Sequence, residues 1–135
     1  MAILNPYISF KDTARDAMEF YQSVLGGELF FAKFGDMGDP DAANAEGIMH
    51  SSLQTPSGFT LFASDTPDGM DYNPGTNIAI SLSGSESEEL KGYWDKLSDG
   101  ATVTVPYAKQ MWGDEFGMLI DKFGISWMVN VSPQG

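Results

Sequence analysis

Apolar and polar residues alternate along residues 3–10, as in a strand that buries one face. The period then lengthens. Ala14, Ala17, Met18, Tyr21, Val24 and Leu25 recur at helical spacing, which predicts an amphipathic helix capped by Asp12 or Thr13 and ended by Gly26-Gly27. Strands are predicted over residues 28–34, 48–54 and 59–64, the last two joined by a tight turn at Thr55-Pro56-Ser57-Gly58. Between the first two of these, GDMGDPDAANAEG at 35–47 reads as a loop.

The same order of elements then returns. After the turn-rich stretch 64–76, a strand is predicted at 77–82 and a helix at 86–97, capped by Ser85 and stopped at Asp99-Gly100. A strand at 101–105, a loop at 106–114 and strands at 116–121 and 126–131 follow. Residues 7–29 match 79–103 in outline: strand, polar break, helix with an aromatic pair (Phe20-Tyr21, then Tyr93-Trp94), glycine, next strand. TPSGFTLFAS at 55–64 likewise matches DKFGISWMVN at 121–130. Such self-similarity predicts two copies of one unit. The expected fold is α+β: a single domain of two βαβββ modules, module one 1–66 and module two 77–135, joined by a linker at 67–76. Each module is a four-stranded mixed sheet with one helix outside. The free sheet faces must be covered or must curve around something, so a concave cleft is expected.

Alternation sorts each strand into two sets. Ile8 and Phe10, Leu61 and Ala63, Met49 and Leu53, Ile78, Ile80 and Leu82, and Trp127, Val129 and Val131 are apolar and are expected beneath the helices. The opposite sets are mixed: Asn5, Tyr7 and Ser9; His50, Ser52 and Gln54; Thr60, Phe62 and Ser64; Asn77, Ala79 and Ser81; Ser126, Met128 and Asn130. A one-sided sheet showing polar residues to water accounts for such a face. An amide, hydroxyl and aromatic lining also suits a small-molecule pocket.

Charge and composition remove several alternatives. The net charge is −12 with only seven Lys and Arg, so nucleic acid and anionic membrane surfaces are not expected partners. The absence of cysteine rules out disulfides, thiolate metal sites and Cys nucleophiles. MAILNPYISF has no basic leader and enters a strand directly, and no apolar run is long enough for a membrane span, so a cytoplasmic protein is the expectation.

The motifs NPYISF (5–10), FYQSVLGGEL (20–29), FGDM (34–37), IMHSSL (48–53), FASD (62–65) and DKFGISWMVNV (121–131) resemble the vicinal oxygen chelate superfamily of glyoxalases, bleomycin-resistance proteins and extradiol dioxygenases. They resemble most its PhnB-like branch, also labelled demethylubiquinone-methyltransferase-like. The resemblance covers nearly the whole chain and implies the paired-module fold and a homodimer. It also implies four metal-ligand positions on the concave face, falling near Asn5, Phe62, Asn77 and Met128. Neither Phe nor Met supplies the oxygen or nitrogen donors such divalent ions need, and Asn is a weak donor, so no metal and no cofactor is expected.

His50, the single histidine, is the candidate for acid–base chemistry or for donation to a ligand oxygen, beside the commoner structural role. The acidic loop lacks the spacing of a calcium loop. Tyr107, Gln110 and Trp112 form either an apolar plug or a lid. No Gly-x-Ser-x-Gly elbow appears, and no glycine-rich loop suits a methyl donor. The expected function is small-molecule binding, with Asn5, Tyr7, His50, Phe62, Asn77, Trp112, Met128 and Asn130 lining the site and a neutral or cationic ligand. Its rivals are a metal-dependent glyoxalase-like lyase/isomerase or dioxygenase with atypical ligands, and a dimerising scaffold with a filled cleft.

Overall fold

The computed structural model describes residues 2–132, so the last three residues of the expected second module lie outside it. The chain divides into two compact units, Met1–Pro74 and Gly75–Gly135. Each is a four-stranded mixed sheet with a long helix on one face, in the order β-α-β-β-β, and the fold is α+β.

In the first unit the elements are β1 (Tyr7–Phe10), α1 (Ala14–Leu25), β2 (Glu28–Lys33), the short α2 (Phe34–Met37), β3 (Ile48–Gln54) and β4 (Thr60–Asp65). The sheet order is β1-β4-β3-β2, with β1 parallel to β4 and the other pairs antiparallel. β1 starts later than alternation predicts because Pro6 has no N–H for a ladder, although its carbonyl accepts the Phe62 N–H at 3.1 Å. The chain turns from β1 into α1 through Asp12, which takes φ 65°, a left-handed conformation that Asp tolerates.

The cap of α1 differs from the expected one. The side chain of Thr13 makes no cap bond. Instead Asp65, at the end of β4, accepts the Ala14 N–H on Oδ1 and the Ile48 N–H on Oδ2, both at 2.9 Å. One buried carboxylate thus ties the helix start to β3 and β4 and satisfies a donor that α1 leaves open. Gly26 ends the helix with φ 76°, its N–H bonded to the Gln22 carbonyl. The expected 35–47 loop begins as α2, where Asp36 Oδ2 accepts the Lys33 N–H at 2.9 Å. Phe10, Ala14, Ala17, Met18, Tyr21, Leu53, Leu61 and Ala63 form the core under α1.

The second unit repeats the topology: β5 (Ile80–Gly84), α3 (Ser87–Leu97), β6 (Thr102–Lys109), β7 (Glu115–Ile120) and β8 (Ser126–Val131), in sheet order β5-β8-β7-β6. Two predicted boundaries fail here. β5 pairs only with β8, and the register Ile80↔Trp127 leaves residues 77–79 without a partner strand. Ile78, expected in the core, is therefore 81% exposed. β6 continues through Pro106 to Lys109, where a loop was predicted. It is an edge strand with register shifts at Val103/Val105 and Val105/Ala108, and an edge tolerates both proline and irregular pairing. The α3 cap position is Glu86, one residue past the predicted Ser85, and it makes no side-chain cap bond.

Leu82, Leu90, Tyr93, Trp94, Leu97, Leu119, Trp127, Val129 and Val131 pack under α3. No helix among the described residues is long and apolar enough to cross a membrane.

Candidate functional site

On the first sheet, the face turned away from α1 carries the mixed set. The register aligns Tyr7 with Phe62, Phe62 with Ser52 and Ser52 with Phe30, so three aromatic rings and a hydroxyl span all four strands. His50 sits beside this row. Its Nδ1 is 3.2 Å from the Tyr7 hydroxyl, and its ring centroid is 5.8 Å from that of Tyr7 and 5.3 Å from that of Phe62. Tyr7 and Phe62 are 6.0 Å apart, and all three pairs are tilted, as aromatic quadrupoles favour. When the phenol donates to Nδ1, the neutral imidazole carries its proton on Nε2, which makes that atom a donor. Tyr7 remains 52% and Phe30 59% exposed, so the apolar surface is accessible.

The corresponding face of the second sheet aligns Ser81 with Met128 and Met118, and Ser83 with Asn130 and Phe116. Asn130 Nδ2 donates to Asp114 Oδ2 at 3.0 Å. Asp114 closes the turn between β6 and β7, where its carbonyl accepts the Gln110 N–H at 2.7 Å. Trp112, in the same turn, is 64% exposed.

Tyr7, His50 and Phe62 are thus brought together, and Met128 and Asn130 share one face of β8. Two proposed lining residues are corrected in position. Asn5 precedes β1 and Asn77 precedes β5, because each strand begins only where its parallel partner can pair with it. Tyr107 is also relocated. It lies in β6 with its ring 5.5 Å from that of Trp94 on α3, and its hydroxyl donates to Glu115 Oε1 at 3.0 Å. Burial first, then the hydrogen bond and charge of Glu115, then the charge of Asp95, raise its pKa to about 12. It packs on the helix side of the sheet and is no lid. Gln110 turns back to the Ala108 carbonyl at 2.8 Å.

Sequence reasoning missed Asp114 and Phe30, and it placed Ser81 on the mixed face without naming it among the lining residues. The predicted outward-facing amide of Asn130 was the available signal for Asp114, since a half-buried amide needs a partner.

The metal positions can be tested on donor chemistry. Of the four implied positions Asn5 and Asn77 lie outside their strands, and in the observed register Tyr7 stands beside Phe62 and Ser81 beside Met128. This set of phenol, phenyl, hydroxyl and thioether contains no carboxylate or imidazole and does not fit a divalent cation of this fold class. Among the described residues no three His, Asp or Glu side chains gather into a metal-binding group. In the acidic loop, Lys33 Nζ holds Glu46 at 3.1 Å, and Asp39 Oδ1 accepts the Asp41 N–H at 2.9 Å.

A cavity of about 290 Å³ lies elsewhere in the first unit, between the start of α1, the segment before β3 and the end of β4. Asp12, Asp16, Glu46 and Asp68 line it with Arg15 and Phe34. None of the predicted lining residues reaches it, and those four carboxylates are solvent-exposed.

Repeated βαβββ units with β1 parallel to β4 and β5 parallel to β8 are also the fold of two solved glyoxalase/bleomycin resistance/dioxygenase proteins, from Burkholderia phytofirmans and Frankia, each 14% identical with TM-scores of 0.60 and 0.66. The chain belongs to the family described as 3-demethylubiquinone-9 3-methyltransferase, whose model matches residues 3–130. Protein PA1353 from Pseudomonas aeruginosa is 33% identical, with 98% of each chain covered and a TM-score of 0.86. The Escherichia coli protein YjdN is 29% identical over 97% of this chain and 96% of its own length. The PhnB protein of Bacillus cereus is 18% identical, covers 97% of this chain and 100% of its own, and shares the fold with a TM-score of 0.77.

Proposed function

We propose that this protein binds a small molecule on the face of its first sheet turned away from α1, without a catalytic divalent cation. The observation that carries this reading is the Tyr7–His50–Phe62 cluster, an accessible aromatic surface with a single imidazole donor at its edge. Rings of this kind hold planar apolar ligands by area and quadrupole contact, and one directed donor sets orientation. The ligand is neutral or cationic, since few Lys or Arg exist to neutralise a polyanion. The protein acts as a homodimer in the cytoplasm on this reading.

The family description names a methyl transfer, but the chain leaves β1 through Lys11-Asp12-Thr13, without the glycine-rich turn that lets a backbone approach a nucleotide cofactor.

Thermal unfolding after chelation tests the proposal. Aromatic neutral or cationic compounds are expected to raise the melting temperature with chelator present, since a ligand of the native state stabilises it by mass action. A large rise with manganese, nickel, iron or zinc alone, together with stoichiometric uptake of that ion, would instead establish the metal-dependent lyase or dioxygenase reading.

A further inference from the structure

Given that reading of the first sheet's open face, we propose that His50 offers the ligand an N–H of fixed polarity, so that the site selects planar aromatic compounds carrying an acceptor oxygen, such as aryl ketones. His50 is half-buried, and its Nδ1 lies 3.2 Å from the Tyr7 hydroxyl. Neither side chain has another hydrogen-bond partner among the described residues. The lone pair of an unprotonated imidazole nitrogen accepts more strongly than a phenol oxygen, whose electrons are drawn into its ring. The phenol therefore donates, and the neutral imidazole keeps its proton on Nε2. Nε2 stands across the ring from that bond, so its N–H points away from Tyr7 and has no acceptor within the protein among the described residues.

The other polar groups of this face do not discriminate in the same way. The hydroxyls of Ser52 and Ser64 rotate and can donate or accept, and the Gln54 amide does both. Glu28 only accepts, but it aligns with Gln54, two rows of the sheet away from the Ala32–His50 pair. No Lys or Arg lies on this face within the four strands. The imidazole is thus the one group there whose polarity Tyr7 sets in advance. Phe62, with its centroid 5.3 Å from the imidazole, supplies the surface against which the aromatic body rests. A ligand that presents a donor to Nε2–H leaves two donors facing each other, which a site of this polarity rejects.

Acetophenone and α-methylstyrene differ only in an oxygen that replaces a methylene, and they serve as probes of the full chain. The ratio of their affinities is compared between the native protein and His50→Phe, which cancels their different hydration. The ratio is expected to favour acetophenone about three- to tenfold more in the native protein, the worth of one neutral hydrogen bond. A second measurement needs no variant. With a single histidine, a two-bond proton–nitrogen NMR spectrum at about pH 8.5, above the ordinary imidazole range, reads its tautomer directly. It should show the proton on Nε2, and that nitrogen signal should move with acetophenone and stay nearly fixed with α-methylstyrene. Equal ratios in the two proteins, or a proton on Nδ1, overturn the inference and leave the reading of the aromatic face standing. Binding of neither probe overturns both.

Discussion

At the scale of the residue, buried charge is tolerated here only where backbone donors meet it. Asp65 accepts from Ala14 and Ile48 at 2.9 Å each. Removing it leaves two sequestered N–H groups unpaired, each costing about 1–3 kcal/mol. Asp65→Ala is therefore expected to destabilise the protein by about 2–4 kcal/mol in chemical denaturation, and Asp65→Asn, which keeps an acceptor oxygen, by less. A loss near zero for Asp65→Ala would remove the carboxylate from its tying role. Tyr107 gives a pH signature. Its pKa rises from 10.0 to about 12, chiefly through burial, so the native state keeps the phenol proton after the unfolded chain has lost it. The stabilisation is complete below pH 10 and is lost as pH climbs through about 12. In a spectrophotometric titration Tyr107→Phe should remove one tyrosine's absorbance step from the interval between pH 10 and about 12, and it should flatten the loss of stability over the same interval. A titration complete near pH 10 in the native protein would contradict this.

At the scale of the element, packing of α3 on its sheet depends on one position in the strand beneath it. Gly117 in β7 lies under α3, where an added Cβ would stand 2.8 Å from Trp94 Cη2 and 3.0 Å from the Tyr107 Cα. The backbone contact cannot yield, so Gly117→Ala is expected to cost about 1–3 kcal/mol. Trp94→Phe in the same chain should recover part of that loss, a coupling that a double-mutant cycle on unfolding free energies measures. Additive effects would place the clash elsewhere. The elements also show what the sequence could and could not reveal. The long helices α1 and α3, with β3 and β8, were legible because their apolar period is regular and their ends carry glycine, turn residues or hairpin signals, whereas the single turn of α2 is too short to show a period. β5 and β6 were misplaced at their ends, since strand length there follows the partner: residues 77–79 alternate acceptably but face no strand, and Pro106 is harmless only because β6 is an edge. The α1 cap was hidden for a related reason, as it comes from Asp65, 51 positions away from Ala14.

At the scale of the whole molecule, duplication was visible in the aromatic pairs and the strand–turn–strand endings, and it carried the fold. The site was only partly visible. Face parity brought Tyr7, His50 and Phe62 together, because a two-residue period survives small errors in strand ends. Asn5 and Asn77 fell outside their strands, because strand starts are set by pairing and parity does not report them. The two copies have diverged in what their open faces offer: an imidazole and three rings on one, methionines, Phe116 and the Asp114–Asn130 pair on the other. That divergence is what a repeated scaffold permits, since the helix-side core holds each fold while the outer residues change. Because His50 is the single histidine, its imidazole C–H signals are unambiguous in an NMR spectrum of the intact protein. Titration of chelator-treated protein with a compound that raises its melting temperature should shift those signals saturably, at the concentration where melting responds. If the compound stabilises the protein while the His50 signals stay fixed, ligand does not lie against the Tyr7–Phe62 surface and the account is wrong.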